Sequence, residues 1–87
     1  MLYTVELKPS ATRELKKLSR NVQARLVKKM ESLASNPRPS RAKRLEGPEG
    51  FYCVRVGDYR IVYDIQDDRL VVLVIRIGHR RESYRGL

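Results

Sequence analysis

Eighty-seven residues, of which 41% are hydrophobic and 33% charged, suffice for one small apolar core but not two, so residues 1–87 are expected to form a single folded domain. The lone cysteine, Cys53, excludes an internal disulfide and any cysteine-based metal cluster, which suits a reducing cytoplasm. The longest apolar run, Leu70 to Ile75, is far short of a bilayer span and no leader pattern follows Met1, so secretion and membrane insertion are not expected. The net charge is +9 and unevenly placed: residues 1–44 hold twelve basic against three acidic side chains, 45–78 four against six, and 79–87 three against one. Such a field attracts a polyanion or an acidic protein partner.

In chain order, Leu2 to Leu7 alternates and carries aromatic and β-branched side chains, which predicts a strand. Pro9 fits a first helical turn, after which Ala11, Leu15 and Leu18 share a face. Ser19 or Asn21 can cap a second helix whose stripe is Val22, Leu26, Met30 and Leu33, ending at Asn36-Pro37. Two such stripes predict a helical hairpin lying on a sheet. Residues 36–50, rich in Pro and Gly and bearing Arg38, Arg41, Lys43 and Arg44, read as a basic connecting loop. Phe51–Val56, Tyr59–Ile65 and Leu70–Ile77 then predict a three-stranded antiparallel meander, its last strand central with the N-terminal strand beside it. The fold class is α+β.

If Gly57-Asp58 is a two-residue hairpin loop, Val56 pairs with Tyr59 and Arg55 lies directly across from Arg60, on the face turned away from the helices. Val54, Val56, Tyr59, Ile61, Tyr63 and Ile65 then share the face that receives them. Like charges across a ladder are destabilising, so the pair suggests a site for a phosphate, unless Asp64 or Glu46 neutralises it internally. The segment Gly78 to Tyr84 is expected to fold over the sheet toward the same face, adding His79, Arg80, Arg81 and Tyr84. RNA cleavage by its own 2′-hydroxyl needs a proton acceptor, cations for the phosphorane and a proton donor for the leaving oxygen. Arginine suits the second role; His79 is the one side chain titrating near neutrality, and Tyr84 can stack on a base or move a proton. No glycine-rich phosphate loop, metal-ligand spacing or nucleophile triad is present, and no cofactor is implied. Cys53 reads as a small packing residue. Phe51, Val62, Val71, Leu73 and Ile75 form an apolar set on the arginine side, either a docking face for a partner segment or a surface covered by the N-terminal strand and the tail.

Lys43-Arg44-Leu45, the run Val54 to Tyr63, and Gly78-His79-Arg80-Arg81-Glu82-Ser83-Tyr84 together resemble the RelE/ParE superfamily of bacterial toxins, and most closely its RelE branch of messenger-RNA endonucleases. The resemblance implies a RelE-like domain that enters the ribosomal A site and cuts mRNA by 2′-hydroxyl attack, leaving a cyclic phosphate. It also implies a co-encoded acidic, RelB-like antitoxin that wraps and silences the toxin. By position, Arg55, Arg60 and Arg80 are similar to the family's phosphate-binding cations and Tyr84 to its C-terminal tyrosine, with Lys43, Arg44 and Arg81 as further RNA contacts. Arg81 can exchange roles with Arg80, because the tail reaches its tyrosine sooner than in many relatives. Cys53 stands where many RelE toxins carry a lysine proposed as general base, leaving His79, Glu46 and Glu49 as stand-ins. Two other readings stay open: a ParE-like inhibitor of DNA gyrase on the same scaffold, and a non-catalytic nucleic-acid-binding module.

Overall fold

The computed structural model describes residues 2–79. Strand β1 (Thr4–Leu7) leads into helices α1 (Pro9–Lys16) and α2 (Arg20–Ser35), followed by β2 (Lys43–Arg44), β3 (Tyr52–Val56), β4 (Tyr59–Gln66) and β5 (Val71–His79). One sheet contains all five strands in the order β1-β5-β4-β3-β2. The first strand pairs with the last in parallel, Thr4 opposite Val71 and Leu7 opposite Val74, and every other pairing is antiparallel. The α+β architecture and the two helices follow the expectation, but the sheet has one strand more. Lys43-Arg44, expected in a loop, forms a two-residue edge strand against Tyr52 and Cys53.

Pro9 opens α1, where the missing N–H costs nothing and the fixed φ suits the first turn. Ser19 caps α2, its side chain accepting from the Val22 N–H at 3.4 Å. Both helices lie on one face of the sheet. Ala11 and the stripe Leu26, Met30 and Leu33 bury themselves against Val54, Ile61, Tyr63, Val72, Val74 and Ile77. Leu15, Leu18, Val22, Val56, Tyr59 and Ile65 pack around this centre. Tyr63 is fully buried, yet its hydroxyl donates to the Pro37 carbonyl at 2.8 Å, which ties the end of α2 to the middle of the sheet. Burial pushes its phenol up to about 12, so it remains a donor across the physiological range.

β5 does not run in uniform register. Tyr63 faces Val74 but Val62 faces Arg76, which leaves Ile75 as an extra residue in a β-bulge. An inserted residue inverts the alternation. Before the bulge Val72 and Val74 point to the helices; after it Ile77 does, opposite Ile61. The strand consequently pairs as far as His79, two residues beyond the expected end.

Candidate nucleic-acid interface

The β3–β4 hairpin turns on Gly57 and Asp58. Gly57 has φ +59, a value open to glycine at little cost, and glycine in the first loop position followed by an ordinary residue is the type II′ pattern. A Cβ at Gly57 would also stand 2.6 Å from Arg25 Nη2, because the guanidinium of α2 lies against the turn. With this turn, Val56 closes the ladder against Tyr59 and Arg55 lies directly opposite Arg60. The pair beyond a two-residue turn is the non-hydrogen-bonded kind, whose Cα atoms come within about 4.5 Å and whose side chains are closest. Two guanidinium groups are thus rooted side by side on the face opposite the helices. Arg55 is exposed and Arg60 half-buried.

Register extends the site across the sheet. One row runs Arg55, Arg60, Gly78; its neighbour runs Lys43, Cys53, Val62, Arg76. Gly78 sets no side chain beside Arg60, while Lys43 adds a third cation through Cys53. Arg44, one residue on, takes the other phase opposite Tyr52 and lies against Gly50, so it does not share the face with Lys43. The two ion pairs among the described residues are Arg76–Glu14 and Arg38–Asp67; neither involves Arg55. Asp64 accepts instead from the Gln66 side-chain amide at 3.3 Å.

Burial pushes the Cys53 thiol up, against the opposing pull of Arg60 and Lys43, so at neutral pH it is a thiol and not a thiolate base. Glu49 folds back over Gly47 within its own loop, and Glu46 is exposed in the same loop. His79 is corrected more sharply. Because the bulge inverts the strand's phase, His79 lies opposite Tyr59 on the helix side, the rings edge to face at 5.5 Å. It borders an open cleft of about 340 Å³ with Glu14, Lys17, Leu18, Tyr59, Ile77 and Gly78. The sheet separates it from the Arg55–Arg60 pair. Arg80, Arg81 and Tyr84 lie outside the described residues.

The apolar set expected on the arginine side is not an open patch: Val62, Val71 and Ile75 are buried, while Phe51 and Leu73 are half-buried. Sequence reasoning also missed a polar cluster at the far end of the sheet. Arg38 grips Asp67 through two hydrogen bonds, 2.8 and 3.3 Å, and its guanidinium lies 5.6 Å from the Tyr52 ring centre. Tyr3 donates to the same carboxylate at 2.6 Å. These contacts pin the loop after α2 to the β4–β5 turn. Arg38 first, then Tyr3, holds the Asp67 carboxyl down to about 2. A depressed carboxylate contributes stability that is present above its unfolded pKa, about 4, and lost as pH falls through the folded value. Both partners are about half exposed, 47% and 55%, so screening keeps the contribution small. The expected result is that Asp67→Asn lowers the urea midpoint slightly at pH 7 and that the difference from the parent closes between pH 4 and 2. A gap that persists unchanged below pH 2 would remove the ion pair as its cause.

Two helices on one face of a five-stranded sheet, with a cross-strand arginine pair on the other, define a small basic α+β domain, and comparison with known proteins gives its family. The family model described as ParE toxin of type II toxin-antitoxin system, parDE, matches residues 5–84. The mRNA interferase toxin RelE of Escherichia coli K12 is 33% identical over 85 residues, covering 95% of this chain and 88% of that protein. Toxin RelG of Mycobacterium tuberculosis is 34% identical over 87 residues, covering 98% of this chain and 99% of that protein. Among solved structures, the toxin-antitoxin complex RelBE2 from M. tuberculosis superposes with a TM-score of 0.82 at 32% identity, covering 92% of this chain and all of that one. The intact E. coli RelBE complex superposes at 0.80 with 30% identity, covering 92% of this chain and 99% of that one. The chain belongs to the RelE/ParE family of type II toxin-antitoxin toxins.

Proposed function

We propose that this toxin cuts messenger RNA on the ribosome and that an acidic, RelB-like antitoxin silences it. The observation that carries the reading is the cross-strand pairing of Arg55 with Arg60, which roots two guanidinium groups side by side on the face opposite the helices, an arrangement of forks that suits a phosphate. In 2′-hydroxyl attack, negative charge grows on the phosphorane oxygens. Arg60, half-buried on the inner strand β4, and Arg55, exposed on β3, supply two fixed forks for that charge, with Lys43 beside them for the RNA backbone. This is the neutralisation a metal ion provides in other nucleases. From the sequence, Arg80 or Arg81 adds a further cation and Tyr84 a stacking surface or proton-transfer group. Support comes from relatives named mRNA interferases and from solved relatives held in toxin–antitoxin complexes.

The test is to express the toxin and map mRNA 5′-ends on translating ribosomes. Cuts at fixed positions within codons are expected, and uncut messenger under growth arrest would sink the reading. A second reading has its own support, since the matching family model is described by ParE. Inhibition of DNA gyrase supercoiling by the purified toxin, with messenger intact, would select it.

A further inference from the structure

We propose that Glu14 is a positioning residue of this toxin: its carboxylate clips the bulged end of β5 and thereby fixes the strand register beside Arg60. The inference rests on the RNA-cleavage reading for its consequence, but not for its geometry. β1 stops at Leu7, opposite Val74, so the remaining five residues of β5 have no strand on that side. α1 takes over. The Lys8 N–H donates to the Val74 carbonyl at 2.9 Å, and the Ser10 hydroxyl donates to the Ile75 carbonyl at 3.3 Å. One helical turn on, Glu14 Oε1 accepts the Ile77 N–H and Oε2 accepts Arg76 Nε, both at 3.0 Å. Ser10 and Glu14, four residues apart, lie on one helix face and do with side chains what a neighbouring strand would do with its backbone.

The clip sits at the place where register matters. The bulge at Ile75 brings Gly78 opposite Arg60 and turns Ile77 and His79 toward the helices. If β5 slipped back by one residue, a side chain would replace Gly78 beside Arg60 and the phase would invert. Glu14 opposes that slip in two ways. It occupies the Ile77 N–H, and it draws the Arg76 guanidinium, which by register starts beside Val62 on the arginine face, to the open edge of β5. Side-chain exposures of 25% for Glu14 and 37% for Arg76 make this pair better shielded than the Arg38–Asp67 pair.

The experiment compares Glu14→Ala, which removes both contacts, with Glu14→Gln, which keeps an oxygen acceptor for the Ile77 N–H, at a temperature where melting curves show both fully folded. Single-turnover cleavage of ribosome-bound mRNA at saturating ribosomes is expected to fall about 100-fold in Glu14→Ala, the size of loss that a small misplacement of a reacting group causes, with no rise in the half-saturating ribosome concentration. Glu14→Gln is expected to recover most of that rate. Amide exchange at Ile77, read without any RNA, is expected to accelerate in Glu14→Ala and to stay near the parent in Glu14→Gln. Parental cleavage by Glu14→Ala, or equal loss in the two variants, overturns the proposal. So does unchanged Ile77 exchange. A parent toxin that leaves ribosomal messenger intact counts against the cleavage reading alone, and the amide measurement then still decides whether the clip exists.

Discussion

Arg60→Ala is expected to cut cleavage of ribosome-bound mRNA by on the order of 100- to 1,000-fold, the usual loss when one preorganised charge-stabilising group is removed from a transition state. Arg55→Ala should lose less, because Arg55 is exposed on β3 whereas Arg60 is half-buried on β4 between two strands. Lysine at either position keeps the charge and loses the two-pronged donor, so partial activity is expected. Stability should move the other way. Arg55 has no ion pair among the described residues and faces a like charge, so Arg55→Ala should leave the unfolding free energy unchanged or raise it by about 0.2–1 kcal/mol. Single-turnover cleavage and urea melts on the same preparations measure both. A pair of variants that cleave as fast as the parent would remove these arginines from the mechanism; Arg55→Ala losing activity only because it unfolds would show the pair to be a structural element.

Tyr63→Ala should have the largest effect on stability. The side chain is fully buried between α2 and the sheet, stacks on Tyr52 with ring centres 6.0 Å apart, and donates its hydroxyl to Pro37. Truncating a buried aromatic costs about 3–5 kcal/mol, a large part of the about 5–15 kcal/mol that holds a domain together. Tyr63→Phe keeps the ring and leaves the Pro37 carbonyl without this donor, for about 1–2 kcal/mol. Urea denaturation at pH 7 separates the two. Equal losses would mean that the hydroxyl, and not the ring, holds the end of α2 to the sheet.

The elements that were legible in the sequence are those governed by local rules. Pro9, Ser19 and the Leu26-Met30-Leu33 stripe predict the helices, and the two-residue turn predicts the Arg55–Arg60 contact residue for residue. What escaped depends on contacts between distant parts of the chain. A strand of two residues, Lys43-Arg44, has no periodicity to read and exists because β3 offers it an edge. The bulge at Ile75 is invisible in an unbroken apolar run, and the expectation that His79 folds with the tail toward the arginine face gives way to a strand that continues to His79 on the helix side. The bulge is supported by Glu14, 63 positions away from Ile77, and no spacing rule connects them. Arg38 and Asp67, 29 residues apart, are equally silent until the sheet brings them together. Of the candidate site, the arginine pair was readable, whereas the placement of Lys43, His79 and Glu14 required the register.

The parallel pairing of β1 with β5 has a consequence for biosynthesis. Thr4 finds its neighbour only when Val71 has been made, so a growing chain holds an unmatched hydrogen-bonding edge at β1 while both helices and the β3–β4 hairpin are synthesised. Closing so long a loop makes assembly a late, slow event. A toxin built this way acquires its finished sheet only after β5 has joined β1.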